Sequence, residues 1–91
     1  MTDDLQVRIE PTPNPNAIKL ATNRVLAEGR AQTYSDAVQA FASPLARALL
    51  DVPGVASVFL LRDFVTVTRT PSAAWESILP EAEAALRRVL G

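Results

Sequence analysis

The chain has 91 residues, 48% of them hydrophobic and 21% charged, with nine basic and ten acidic side chains giving a net charge of −1. That predicts one domain with one modest core and a radius of gyration of about 12 Å; it excludes a disordered tail, and no apolar run approaches the roughly 18 residues of a spanning helix. There is no cysteine and no histidine, so disulfides, thiolate nucleophiles, Cys/His zinc sites, cysteine-ligated clusters and imidazole acid–base chemistry are excluded within the chain.

The near-neutral charge offers no basic stripe for nucleic acid. The acidic start Met-Thr-Asp-Asp-Leu lacks the apolar region of a signal peptide, so a cytoplasmic protein without membrane association is expected. All but one of the basic residues are arginine, a bias that fits a GC-rich bacterial genome.

Residues 1–4 read as a frayed tail. Leu5, Val7 and Ile9 alternate with Gln6, Arg8 and Glu10, the period of a half-buried strand. Pro11-Thr12-Pro13-Asn14-Pro15-Asn16 cannot supply ladder donors at its prolines and is a stiff loop. Ala17 to Leu20 predicts a second strand, and Thr22-Asn23-Arg24 a turn. Val25 to Ala27 fits either state, Gly29 marks a turn, and Arg30 to Tyr34 predicts a third strand. Ser35 is a candidate cap for a short helical turn over 36–41. Ser43-Pro44 is a stronger start, an N-cap residue followed by proline at the first helical position. Leu45, Ala48 and Leu49 share one face of that helix, Leu50 borders it, and Val52-Pro53-Gly54 ends it.

Val55 to Leu61 and Phe64 to Thr70 are rich in β-formers and separated by Arg62-Asp63, which predicts a tight hairpin. A two-residue loop sets Leu61 opposite Phe64, Leu60 opposite Val65 and Val58 opposite Val67. One face then carries Val58, Leu60, Val65 and Val67; the other carries Phe59, Leu61 and Phe64 with Ser57, Thr66 and Thr68. Ser72 is a candidate cap for the last helix. There Trp75, Ile78, Leu79, Ala82, Leu86, Val89 and Leu90 form an apolar stripe. Pro80 cannot bond the carbonyl of Glu76, so the stripe predicts a kink, or a short first turn and a new start at Pro80. The fold expected is α+β: a two-layer sandwich of a mostly antiparallel sheet of about five strands with two main helices, spanning 1–91 as one domain.

Several segments together resemble a known family. Pro11 to Leu20 is similar to the opening motif of the N-terminal domain of Nfu/NifU-like iron–sulfur scaffold proteins. Ser43-Pro44-Leu45-Ala46, Gly54-Val55, Val58-Phe59 and Asp63-Phe64-Val65-Thr66-Val67-Thr68 resemble its central motifs. Trp75 with Leu79-Pro80-Glu81 resembles its last helix entry. The resemblance implies a domain tied to iron–sulfur cluster assembly or transfer, in a family where a separate module with a CxxC motif holds the cluster. Without cysteine this chain donates no thiolate ligands, so the resemblance implies a non-catalytic interaction domain that meets a cluster only through a partner. That partner would be a CxxC-type scaffold, a cluster donor or a recipient apoprotein. Self-association, and whether the chain stands alone or is a fragment, are left open.

Candidate partner contacts are Thr12, Asn14 and Asn16, on a loop that is stiff before it binds, and Phe59, Leu61 and Phe64 on the hairpin. The loop also reads as a chain reversal capped by its own Asn side chains, and the aromatic face reads also as one covered by the N-terminal loop or as the helix-packed core. Lys19, the only lysine, reads as a partner contact or as the solvent side of a strand. An alternative function is a regulatory module for a small anion or phosphopeptide, using Ser43, Arg47 and Arg62. Asp51, Asp63 and Glu10 sit beside turn signals and read as solvated carboxylates, and Trp75 reads as core. No catalytic residue and no metal site is expected, and no phosphate loop, nucleophile elbow or calcium loop is present.

Overall fold

The computed structural model describes residues 5–35 and 43–90. Its elements are β1 (Val7–Pro11), β2 (Ala17–Thr22), β3 (Ala27–Tyr34), α1 (Pro44–Leu50), β4 (Val55–Arg62), β5 (Phe64–Arg69) and α2 (Trp75–Leu90). The strands form one antiparallel five-stranded sheet in the order β1-β2-β5-β4-β3. This is the α+β fold expected, and its radius of gyration is 12.2 Å. The expected tail at 1–4 and the helical turn over 36–41 lie outside the described residues.

The β4–β5 hairpin has the predicted register, with Leu61 opposite Phe64, Leu60 opposite Val65 and Val58 opposite Val67. Because side chains alternate across a strand, this register sends Val58, Leu60, Val65 and Val67 to one face, where none is more than 1% exposed. Leu20 of β2, opposite Val65, joins them. Leu45, Ala46 and Leu49 of α1 and Ile78, Ala82, Ala85 and Leu86 of α2 close the core from above. The faces of both helices differ slightly from the sequence reading. Ala46 is buried where Ala48 is half-buried, and Ala85 is buried where Val89 is exposed.

The hairpin turn is held by the end of β2 and the segment that follows it. Arg62 takes a left-handed φ of 54°, a conformation costing a non-glycine residue about 1–2 kcal/mol. Its carbonyl accepts the Leu26 N–H (2.6 Å), and the Asp63 carbonyl accepts the Thr22 N–H (2.8 Å). The Thr22 hydroxyl lies 2.9 Å from that same Asp63 oxygen. These bonds offset the strain and explain why a turn without Asn-Gly forms in register.

Four local expectations are corrected. Gly29 is not a turn; it lies inside β3, which starts at Ala27, and the β3–β4 register shifts between Ala27 and Gln32. Glycine in a strand commonly marks such an irregularity. Ser72 does not cap α2: the helix starts at Trp75, Ala74 accepts its first bonds, and Ser72 lies in the preceding turn. The helix also runs through Pro80 with no second start there, which overturns that alternative to a kink; Pro80 is exposed, so water can satisfy the carbonyl it leaves unbonded. Trp75, fourth, is only half-buried at the edge of the core.

Ser43 caps α1 as expected, its hydroxyl accepting the Ala46 N–H at 3.3 Å. Ser43→Ala is expected to lower stability by about 1 kcal/mol, read as a shift of the urea midpoint with an unchanged slope. Ser43→Thr should keep most of the lost stability.

Candidate functional site

Two helices cover one face of the sheet, so Ser57, Phe59 and Leu61 of the hairpin's first strand, opposite in parity to the buried Val58 and Leu60, are turned away from them. Phe59 and Leu61 of β4, Phe64 and Thr66 of β5 and Lys19 of β2 share this open face through the pairs Leu61–Phe64, Phe59–Thr66 and Lys19–Thr66. The helix-packed alternative for these rings is thereby set aside.

The open face is organised along diagonals of the sheet. The Phe59 and Phe64 rings are 6.3 Å apart and tilted by 42°, within the range in which aromatic pairs attract. Lys19 Nζ sits 4.3 Å above the centre of the Phe64 ring, a cation–π contact. The same ammonium is 3.7 Å from a Glu10 carboxylate oxygen, and Glu10 in turn is 3.6 Å from Arg8. Phe59, Leu61 and Phe64 are half-buried rather than fully exposed; the two rings shield one another and Lys19 covers that of Phe64. The result is a preformed apolar patch with a charged border.

The Thr12–Asn16 loop lies at the other end of β2, since Ala17 starts that strand and Ala21 faces Phe64. The two parts of the candidate partner surface are therefore separate. The loop's polar atoms are largely engaged within the fold. The Thr12 hydroxyl reaches the carbonyls of Asn14 (2.9 Å) and Ala17 (2.8 Å) and accepts the Asn14 N–H at 3.1 Å. Asn14 Oδ1 accepts the Asn16 N–H at 2.9 Å, and Asn16 Oδ1 accepts from Arg69 Nε at 3.2 Å. The capped-reversal reading thus describes the loop, while Pro13, Asn14 and Pro15 remain exposed at its tip.

Trp75 is the residue whose role the sequence did not reveal. Its indole N–H donates to the Pro15 carbonyl at 3.2 Å, and the Arg69 guanidinium lies 5.5 Å from its ring centre. Tryptophan carries both an apolar body and a donor, and that pairing with a proline-rich loop was the available signal.

The anion candidates are not gathered into one pocket. The Ser43 hydroxyl is occupied by its capping bond. Arg47 lines a shallow groove between α1 and α2 with Asp51 and Arg88, and Arg62 sits in the hairpin turn. Among the described residues no group of three or more Asp or Glu could hold a metal ion, and no helix is long and apolar enough to cross a membrane.

Comparison with known proteins agrees with this geometry. Residues 7–91 match the profile of the family described as scaffold protein Nfu/NifU N terminal. The chain is 36% identical over 81 residues to the mitochondrial NFU1 iron-sulfur cluster scaffold homolog of Drosophila persimilis, covering 88% of this chain and 29% of the relative. It is 35% identical over 79 residues to conserved virulence factor C of Staphylococcus aureus, covering 87% of this chain and 21% of that protein. The chain thus spans between a fifth and a third of these curated relatives. Among solved structures, Staphylococcus aureus protein SAV1430 superposes with a TM-score of 0.77 at 33% identity, over 89% of this chain and 98% of that one.

Proposed function

This chain belongs to the family of Nfu/NifU N-terminal domains, and from that premise we propose that it is a non-catalytic interaction domain of iron–sulfur cluster assembly or transfer. It docks a protein that itself carries the cluster, such as a CxxC-type scaffold, a donor or a recipient apoprotein. The chain contains neither cysteine nor histidine, so cluster ligands come from the partner. The work of the domain is differential binding by a preformed surface, without bond chemistry.

The observation that carries the reading is the open sheet face. Phe59, Leu61 and Phe64 are held in place by the hairpin register and by Lys19, on the side the helices leave uncovered. Half-buried aromatic anchors with a charged rim have the composition of an interface centre. Thr12, Asn14 and Asn16 contribute a stiff loop at the other end of β2.

The test is co-purification of the tagged chain from its own cells, beside a Phe59→Ser/Phe64→Ser variant whose amide spectrum confirms folding. Cluster-assembly proteins should be enriched by the original chain, and enrichment should fall at least about tenfold in the variant, as expected when aromatic anchors are removed. Recovery of unrelated proteins only, or equal recovery by the variant, refutes the docking role or this surface respectively.

A further inference from the structure

β1 is an edge strand: it pairs with β2, and among the described residues no strand pairs with its other side. The direction of its free backbone groups follows from its neighbours. Thr22 N–H points to the hairpin, donating to the Asp63 carbonyl, so the Val7–Thr22 pair is not a hydrogen-bonded one. Gln6 N–H points toward the β2 side, donating to Asn23 Oδ1 at 3.0 Å. Alternation along an antiparallel strand then turns Arg8 and Glu10 toward β2, and Val7, Ile9 and Pro11 outward.

The free edge is bounded. Leu5, the next outward residue upstream, has its carbonyl taken by Arg87 at 3.1 Å. Pro11 offers a carbonyl and no N–H. Between them Ile9 is 49% exposed although it faces the helix side with Leu20, so neither helix overhangs the middle of the edge.

From this we infer that β1 is a self-pairing edge: two copies of the chain join their β1 strands antiparallel about a two-fold axis at Ile9, making one continuous sheet. The charges select that occupant and that register. Centred on Ile9, Arg8 of each copy stands opposite Glu10 of the other, on the open face. Centred one residue earlier, Arg8 would face its own copy; one residue later, Glu10 would. Like charges directly opposite are unfavourable. The backbone agrees: the two Ile9 residues exchange N–H···O bonds, and each Val7 N–H reaches Pro11 C=O of the second copy. Exposed edges are commonly guarded by charges, but a guard must repel its own copy, whereas the Arg8-Ile9-Glu10 pattern is complementary to itself. The contact is isologous and small, so a weak, concentration-dependent dimer is expected.

The test is sedimentation velocity of the full chain from about 10 μM to about 1 mM, a range suited to weak association. The chain should shift from monomer to dimer across the series. Arg8→Glu and Glu10→Arg alone should each weaken association about tenfold or more, and an equimolar mixture of the two should recover it as a heterodimer. Ile9→Pro removes the N–H at the axis, which β2 does not use, and should abolish dimer while the amide spectrum stays folded. Monomer throughout the series overturns the inference. So does a dimer indifferent to charge reversal, or a mixture no stronger than either variant alone. The charge-swap mixture decides the matter even if Ile9→Pro does not fold.

Discussion

Gly54→Ala should lower the stability of the domain by about 2–4 kcal/mol, a large part of the roughly 5–14 kcal/mol expected for its size. Gly54 has a φ of +97°, and a Cβ built there would lie 2.8 Å from Ala73 Cβ and 3.2 Å from Ile78 Cδ1. A side chain adds backbone strain to overpacking, and the space cannot yield easily. Ile78, on the inner face of α2, is wholly buried, and the Gly54 carbonyl accepts the Thr70 N–H at 2.9 Å. This glycine therefore joins three elements: the end of α1, the start of β4 and the seat of α2. Thermal unfolding should show a Tm lower by roughly 10–25 °C. The two causes separate in a double variant. Ala73→Gly in the Gly54→Ala background removes the closest contact and should restore part of the loss, leaving the backbone strain. No recovery at all would mean that the φ alone sets the requirement for glycine.

The hairpin was readable because two signals agreed. Alternating β-formers and a two-residue gap define the same register, and a slip of one residue would have buried Ser57, Thr66 and Thr68. The strand order was not readable. β2 pairs with β5 across most of the chain, a contact no local pattern announces. Gly29 misled because a glycine inside an edge strand looks in sequence like a glycine in a turn. No new helix starts at Pro80, because the cost of a proline depends on whether water reaches the carbonyl it frees, and exposure is a tertiary property. At the site, hairpin parity sets Phe59, Leu61 and Phe64 on one face, but which face the helices cover was not legible. Nor was the separation of the aromatic face from the Thr12–Asn16 loop, since it depends on which strand lies beside β5. The loop's own bonds explain why its sequence invites two readings. The prolines that stiffen it and the Asn and Thr side chains that close it would serve a reversal or a recognition tip equally well.

Trp75→Ala should loosen that loop selectively. The indole supplies a bond to the Pro15 carbonyl and a face for Arg69. Arg69 itself donates from its backbone N–H to the Asn16 carbonyl at 2.8 Å, from Nε to Asn16 Oδ1, and from a terminal guanidinium nitrogen to the Ala73 carbonyl at 2.7 Å. The proline-rich loop, 60 residues upstream, thus meets the end of β5 and the start of α2 at one tryptophan. Removing the ring should cost about 2–3 kcal/mol, below the usual value for a fully buried tryptophan. Amide exchange should accelerate at Asn16 and Ala17 more than at Val58 in the core, because the loop can open without global unfolding. Trp75→Phe keeps an aromatic face for Arg69 and loses only the N–H bond, so it should cost about 1 kcal/mol and free the loop partly. Equal acceleration at Ala17 and Val58 would mean that Trp75 supports the whole core and not the loop. The same variant divides the proposed surface: a Trp75→Phe chain with a loosened loop and undiminished partner capture assigns recognition to Phe59 and Phe64 alone, whereas weakened capture gives the loop a share in it.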